Sequence, residues 1–475
     1  MLALLAMFLV VLLGSISPAY AQSVFYVRAG ATGAGNGSDW QNAYPTLPAT
    51  LVRGATYYIA DGTYPSYTFR TPNAGTSLIT LRKATGADHG TDIGWNSTFG
   101  DGQAVFGSFD LITGYLTIDG AKRNESNWQD VASYGFKFPA NGFTASASNG
   151  SSASNITIRY SDIGGPVGSV CGQSGVPAGS TAFYVVGSSA LSNWVVSRNH
   201  IHHTEIPFLI TEADNWTVEY NHIGPSWQKE TISGQGTSGW VVRHNKFIDN
   251  LIFPPAACQH GGDGATADIG IRTSSTENNN WEIYGNVFGD TGLYPNINRS
   301  GAIIQGNCWN DNATSPTVSG WKVYNNTFYN IHGNWARILI CGSNNVAVNN
   351  LWYRAGDPST RFEISGAGLT GQTSWCYNDL PGSPANLCSA ISGTKVLGSE
   401  NPFVDVERLD FRLKASFSGP SPVNAGTPLG TGFSNVDAFG NIRGADGGWD
   451  IGAYERVADG GSNAPPSAPS ALSLQ

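Results

Sequence analysis

Residues 194–201 read WVVSRNHI, residues 216–223 WTVEYNHI and residues 240–247 WVVRHNKF. The frame returns as WEIYGNVF at 281–288 and WKVYNNTF at 321–328. Weaker copies stand at Ile156-Ile158-Ser161-Ile163 and Asn344-Val346-Asn349-Leu351. Successive Asn positions lie 22, 24, 41, 40 and 23 residues apart, which is one basic unit carrying an inserted loop in two copies. Alternation of β-branched and aromatic residues makes each copy a strand. A strand repeat of about 23 residues without helical periodicity is a stacked coil, one rung per repeat. Rungs about 4.8 Å apart give each backbone group a partner in the next rung, and an Asn at a fixed place forms an internal ladder. The expected fold is all-β: a single-stranded right-handed parallel β-helix, a solenoid with N- and C-terminal caps. Trp194, Trp216, Trp240, Trp281 and Trp321 share parity with the aliphatic residue two places on. They are read as an internal aromatic ladder, with an outward sugar-stacking platform as the alternative.

A second strand precedes each copy. These segments run through residues 183–187, 207–211, 229–233, 268–272, 301–305 and 337–341, with Val186, Ile210, Ile232, Ile271, Ile304 and Ile340 taken as one inward column. Odd offsets from that column face outward. Lys229, Asp268, Arg272, Gln305 and Arg337 then share one solvent-facing sheet surface on neighbouring rungs. The insertion between Asn245 and Asn286 carries His260 and Asp263 toward the same rung. His200, His222 and Lys246 stack just after the ladder Asn, and the lysine argues against a metal there. His202, His203 and Glu205 read as a surface turn.

Composition narrows the function. Of 475 residues only 12% are charged, against roughly 25% in soluble domains. Glycine contributes 60, and the formal net charge is −9. Such an acidic chain with no basic run is a poor binder of nucleic acid or anionic membrane. Its apolar content excludes a disordered chain. Residues 2–13 (LALLAMFLVVLL) followed by Ala19-Tyr20-Ala21 form a secretory leader, 1–21, with cleavage expected before Gln22. No other stretch reaches transmembrane length. The mature chain is expected outside the cytoplasm, secreted or at the cell surface, with the periplasm as a further compartment. Disulfides form there. None of the six cysteines forms a CxxC pair, and Cys376 with Cys388 closes the shortest loop.

The ends frame the coil. Residues 22–65 (FYVRAG…YIADGTYP) resemble the N-terminal lead-in of secreted bacterial β-helix proteins of pectate-lyase-like architecture. Residues 396–456, with DFRLKASFSGPSPVNAG and GGWDIGAYE, resemble their closing segment. Between them, 66–395 is the coil. The Gly/Ser/Pro-rich residues 457–475 read as a linker whose PPSAPSALSLQ resembles the start of a fibronectin type III module, so a further partner module is expected.

One charged face on a solenoid suits an acidic polysaccharide. Cleavage by β-elimination needs the uronate carboxylate neutralised and a base near the C5 proton. Lys229, its pKa lowered by neighbouring cations, or His260 suits the base, and Arg272 the neutralising cation. Arg337, Gln305, Asp268 and Asp263 would bind substrate. The stretch Lys229-Glu230-Thr231-Ile232-Ser233 with Ile271-Arg272 resembles the active strand pair of polysaccharide lyase family six, the alginate lyase and chondroitinase B group. That resemblance implies a calcium-binding role for Glu230 and the family's arginine at Arg272. The family's catalytic lysine position falls on Gln235 and its second calcium glutamate on Gln228. Two other classes stay open: glycoside hydrolysis, with Asp263 and Asp268 as the carboxylates, and a non-catalytic adhesive β-helix.

Overall fold

In a computed structural model, the described residues run from 23 to 457 except 228–229, 253–254, 259–266, 272–277, 295–296, 298–301, 307, 310–311, 314–317, 332–334, 356–360, 366–368, 372, 380–387, 389–390 and 392. Three long parallel sheets of 12, 12 and 10 strands wrap one interior, and each rung contributes a strand to each in turn. The chain is a single-stranded right-handed parallel β-helix. The Trp-containing strands, such as Trp194–Ser197, form the first sheet. Strands after the ladder Asn, such as Lys246–Ile248, form the second. The third contains Thr181–Val186, Ile206–Thr211, Glu230–Gln235, Ala267–Ile271, Ile304–Gly306 and Trp335–Ile340.

The bend between the first and second sheets explains the repeat. The residue before each ladder position is left-handed: φ is 56° at Arg198, 54° at Tyr220, 57° at His244, 64° at Gly285 and 50° at Asn325. That turn swings the Asn inward, where its amide joins the next rung. Asn221 N–H donates to Asn245 Oδ1 at 2.9 Å, and Asn245 N–H to Asn286 Oδ1 at 3.0 Å. Each Asn Nδ2 also donates backward, as from Asn245 to Val218 O at 2.8 Å. The ladder runs from Ser161 N–H, bonded to Asn199 Oδ1, through Asn326 to Asn350. The last copy is therefore Asn345-Ala347-Asn350-Trp352, one residue beyond the frame expected from sequence.

The Trp column lies inside. All five indoles are 0% exposed and stack nearly parallel, with centroids 4.6–5.1 Å apart. Their N–H groups stay satisfied by carbonyls of the preceding turns, as Trp240 Nε1 to Ala213 O at 2.8 Å.

The third sheet corrects the expected register. Ile232 stands level with Phe208, Ile269, Ile304 and Ile338, whereas Ile271 stands level with Gly234, Gly306 and Ile340. From Ile210 onward the single expected column is thus two columns of the same parity, offset by two residues. In the preceding rung Val185, not Val186, aligns with Ile210. Sequence alone misses this because loops of unequal length hide where each strand begins.

At the N-terminus, Val24–Val27 pairs with Thr56–Ile59 as the first two strands of the first sheet, while Leu47 and Leu51 join the interior. Near the C-terminus, a hairpin of Phe403–Asp405 and Asp410–Leu413 is followed by a segment that lies along the outside of the second sheet. Lys246 Nζ donates to Leu409 O at 3.0 Å, Asn325 Nδ2 to Asp450 O at 2.9 Å and Gly452 N–H to Asn349 O at 2.9 Å. Disulfides join Cys376 to Cys388, the expected pair, and Cys171 to Cys258. Among the described residues no helix is long and apolar enough to cross a membrane.

Replacing Asn245 by Ala leaves the Asn221 N–H buried without its partner, at about 1–3 kcal/mol, and removes the second of the hydrogen bonds to the Val218 carbonyl. The thermal unfolding midpoint of Asn245→Ala, followed by circular dichroism, is expected to fall by several degrees.

Candidate functional site

The third sheet is where the sequence places its charged residues. The register puts Asp268, Ile303 and Arg337 level in one row, since Ile269 N–H donates to Ile303 O and Ile303 N–H to Arg337 O, both at 2.9 Å, although Ile303 itself packs in the interior cluster. A parallel row contains Ser233, Gly270, Gln305 and Leu339. By parity with the inward Ile269, Ile304 and Ile338, Asp268, Gln305 and Arg337 turn away from the interior, yet they are 0%, 6% and 2% exposed. The expected solvent-facing surface is instead a covered polar layer. Glu230, also buried, lies across Gly270: a Cβ there would stand 2.5 Å from Glu230 Cγ, so only glycine admits that side chain.

Lys229, His260, Asp263 and Arg272 lie outside the described residues, as does Gln228. Their described neighbours constrain the arrangement. Glu230 pairs with Ala267, and Ile271 with Gly234. Glu230 and Ile271 therefore sit at opposite ends of this strand pair, four residues apart in register, about 13 Å along the strand. Gln235, one residue beyond Gly234, is partly exposed at the end from which the chain continues to Arg272.

Calcium takes 6–8 oxygen ligands. Among the described residues, no cluster of three His, Cys, Asp or Glu ligand atoms includes Glu230. The described residues alone do not build a calcium site there. Two clusters do occur elsewhere. In one, Cys171 and Cys258 are joined as a disulfide beside Glu205, so their sulfurs are not ligands. The other is Asp162, His200 and His202, a nitrogen-rich set closer to transition-metal than to calcium chemistry.

That second cluster belongs to a network of which sequence reasoning found only the stack of His200, His222 and Lys246. Asp162, His200, His222 and Lys246 occupy one outward column of the second sheet. His202 and His203, expected at the surface with Glu205, are 1% and 4% exposed, and Glu205 is 1%. The excursion at residues 121–134 lies close by: Tyr134 stacks on His200, and Arg123 Nη1 donates to Tyr220 O at 2.6 Å.

The donors then assign themselves. Gly168 N–H donates to His203 Nε2 at 3.0 Å, which leaves the proton on His203 Nδ1. That proton is donated to His202 Nδ1 at 2.7 Å, and His202 Nε2–H donates to Asp162 Oδ1 at 2.7 Å. Both histidines are neutral in this chain. Burial is the main cause, with neighbouring imidazoles adding to it, and each pKa falls to about 4. Burial alone would raise the Asp162 carboxyl, but the His202 hydrogen bond and the His200 imidazole, with Nδ1 at 3.6 Å, hold it well below the usual range. Lys137 Nζ stands 3.4 Å from its other oxygen. The signal visible in sequence is the recurring position after the ladder Asn. The distant segment that covers it carries no period.

No protein-family model matches the chain, and no curated protein matches it in sequence. Among solved structures it is similar to pectate lyase Pel9A, at 17% identity over 92% of this chain and 96% of that one, with TM-score 0.40. It is also similar to XylC in complex with xylose, at 10% identity over 72% and 70%, with TM-score 0.33. A family PL6 alginate lyase, AlyGC, aligns at 12% identity over 83% of this chain and 58% of its own length, with TM-score 0.33.

Histidines whose pKa is lowered on folding contribute stability that is present above pH 6.5 and lost as pH falls toward 4. In His203→Gln one such contribution is gone. The drop in melting temperature from pH 7 to 4.5 should be shallower in that variant than in the parent, although the variant melts lower at pH 7.

Proposed function

We propose that the protein binds and cleaves an extracellular acidic polysaccharide by β-elimination on the outer face of the third sheet. The observation that carries this reading is the register itself. In a chain with 12% charged residues, Asp268, Gln305 and Arg337 gather on adjacent rows of three successive strands, the first of which precedes Arg272 and pairs with the strand that follows Lys229.

In this reading Arg272 lies on the uronate carboxylate and lowers the cost of charge developing at C5. Lys229 or His260 takes the C5 proton. The C–H electrons form the C4–C5 double bond, the C4–O glycosidic bond breaks, and the departing oxygen gains a proton. Arg337, Gln305, Asp268 and Asp263 hold neighbouring sugars. The separation of Glu230 and Ile271 along the strands favours His260 over Lys229 as the partner of Arg272. No step is routed through calcium.

The burial of Asp268, Gln305 and Arg337 favours a second reading, a non-catalytic adhesive β-helix.

The full chain incubated with a panel of uronic-acid polysaccharides, with calcium and with chelator, should release unsaturated ends that absorb in the ultraviolet. Arg272→Ala should lower that rate by about 100-fold or more. New reducing ends without absorbance would replace elimination by hydrolysis through Asp263 and Asp268. Silence on every polymer, with glycan binding retained, would select the second reading.

A further inference from the structure

The excursion at residues 121–134 and the C-terminal segment do not close completely over the second sheet. Between them lies a cleft of about 530 Å³, within the range of roughly 300–1,000 Å³ usual for small-ligand sites. Lys246 reaches it from the sheet, Trp128 from the excursion, and Arg408, Asp410, Arg412 and Phe439 from the C-terminal segment.

The charges in the cleft are unevenly matched. Asp410 is taken by Arg412, with Nε at 2.8 Å from Oδ1 and Nη2 at 2.5 Å from Oδ2. Glu125 is held by Arg123 at 2.9 Å and faces Arg198 at 3.4 Å. Lys246 is different. Its ammonium donates to Leu409 O at 3.0 Å and lies 5.1 Å from the Trp128 ring centre, but among the described residues no carboxylate comes within ion-pair distance. Two of its three N–H donors remain for another acceptor. Arg408 is 87% exposed at its side chain and reaches Asp405 only at 3.7 Å. Two cations with little neutralisation therefore flank a cleft whose walls include aromatic rings. Burial is the main cause pushing the Lys246 pKa down to about 8, with Arg123 adding and Asp410 opposing. An arriving anion would relieve that cost.

We propose that this cleft is a second glycan site, which seats the carboxylate of one uronate residue between Lys246 and Arg408 with a sugar face against Phe439. It would hold the polymer on the flank of the solenoid, away from the third sheet. The proposal rests on the reading that the substrate is an acidic glycan, and it extends that reading to a surface with no part in the cleavage step. A neutral sugar lacks the anion that two under-compensated cations call for.

The test is calorimetric titration of the full chain with glucuronic acid and with glucose. Glucuronic acid should bind and glucose should not. Arg408→Ala, an exposed change that leaves the fold alone, should weaken binding at least threefold, and Lys246→Met about tenfold or more. Ile93→Ala, an exposed change outside both the cleft and the third sheet, should leave binding unchanged. Absence of glucuronic acid binding overturns the proposal, as does binding that survives both cleft variants. Polymer cleavage that persists in either of those cases shows that the cleft assignment alone has failed and the acidic-glycan reading stands.

Discussion

The amide of each ladder Asn performs two tasks that no other short side chain combines. It accepts the N–H of the equivalent residue in the preceding rung and donates to a carbonyl of that rung's first-sheet strand, as Asn245 does with Asn221 and Val218. Both bonds are buried, so losing either leaves a backbone group with no water to replace it. They also fix the angle at which the chain leaves the first sheet, because the preceding residue must be left-handed to aim the Asn inward. Arg198, Tyr220 and His244 accept that conformation without being glycine or asparagine, at a cost of order 1–3 kcal/mol each. Once the bend is set, indoles of successive rungs fall one above another, and so do Phe247, Phe288 and Phe328 on the second sheet.

The outside of the solenoid follows a different logic. Side chains pointing outward from the second sheet meet other parts of the chain rather than water. The chain from Gly168 through His203 and His202 to Asp162 is satisfied in one consistent set of tautomers, so two imidazoles are buried uncharged beside one ionised carboxylate. A buried ion is tolerable only with such support. The cation next to it is Lys137, at 3.4 Å from the carboxylate.

The repeat was legible because its cause is local: a strand, a left-handed bend and an Asn occupy eight consecutive residues. The internal Trp column and the Cys376–Cys388 bridge were legible for the same reason. The third sheet was harder. Its strands carry no marker residue, and inserted loops let Ile232 and Ile271 look equivalent when they stand two residues apart. Parity survived that slip, so Asp268, Gln305 and Arg337 were correctly turned outward, but their burial depends on segments elsewhere in the chain. The turn at His202 and His203 read as surface because its polar residues look solvated until Asp162, 40 residues earlier, is brought beneath it.

The C-terminal segment makes the order of synthesis matter. Lys246 leaves the ribosome 163 residues ahead of Leu409, whose carbonyl it binds. A chain growing from its N-terminus can stack rungs as they emerge, since each needs only its predecessor. Tyr329, Leu351, Tyr353 and Trp375 then wait on the flank until Phe403, Phe411, Ile451 and Tyr454 arrive to cover them. The half-made molecule is thus a finished spiral with one adhesive side. A chain that ended short of residues 403–454 would keep the contacts between its rungs and leave that apolar flank facing water.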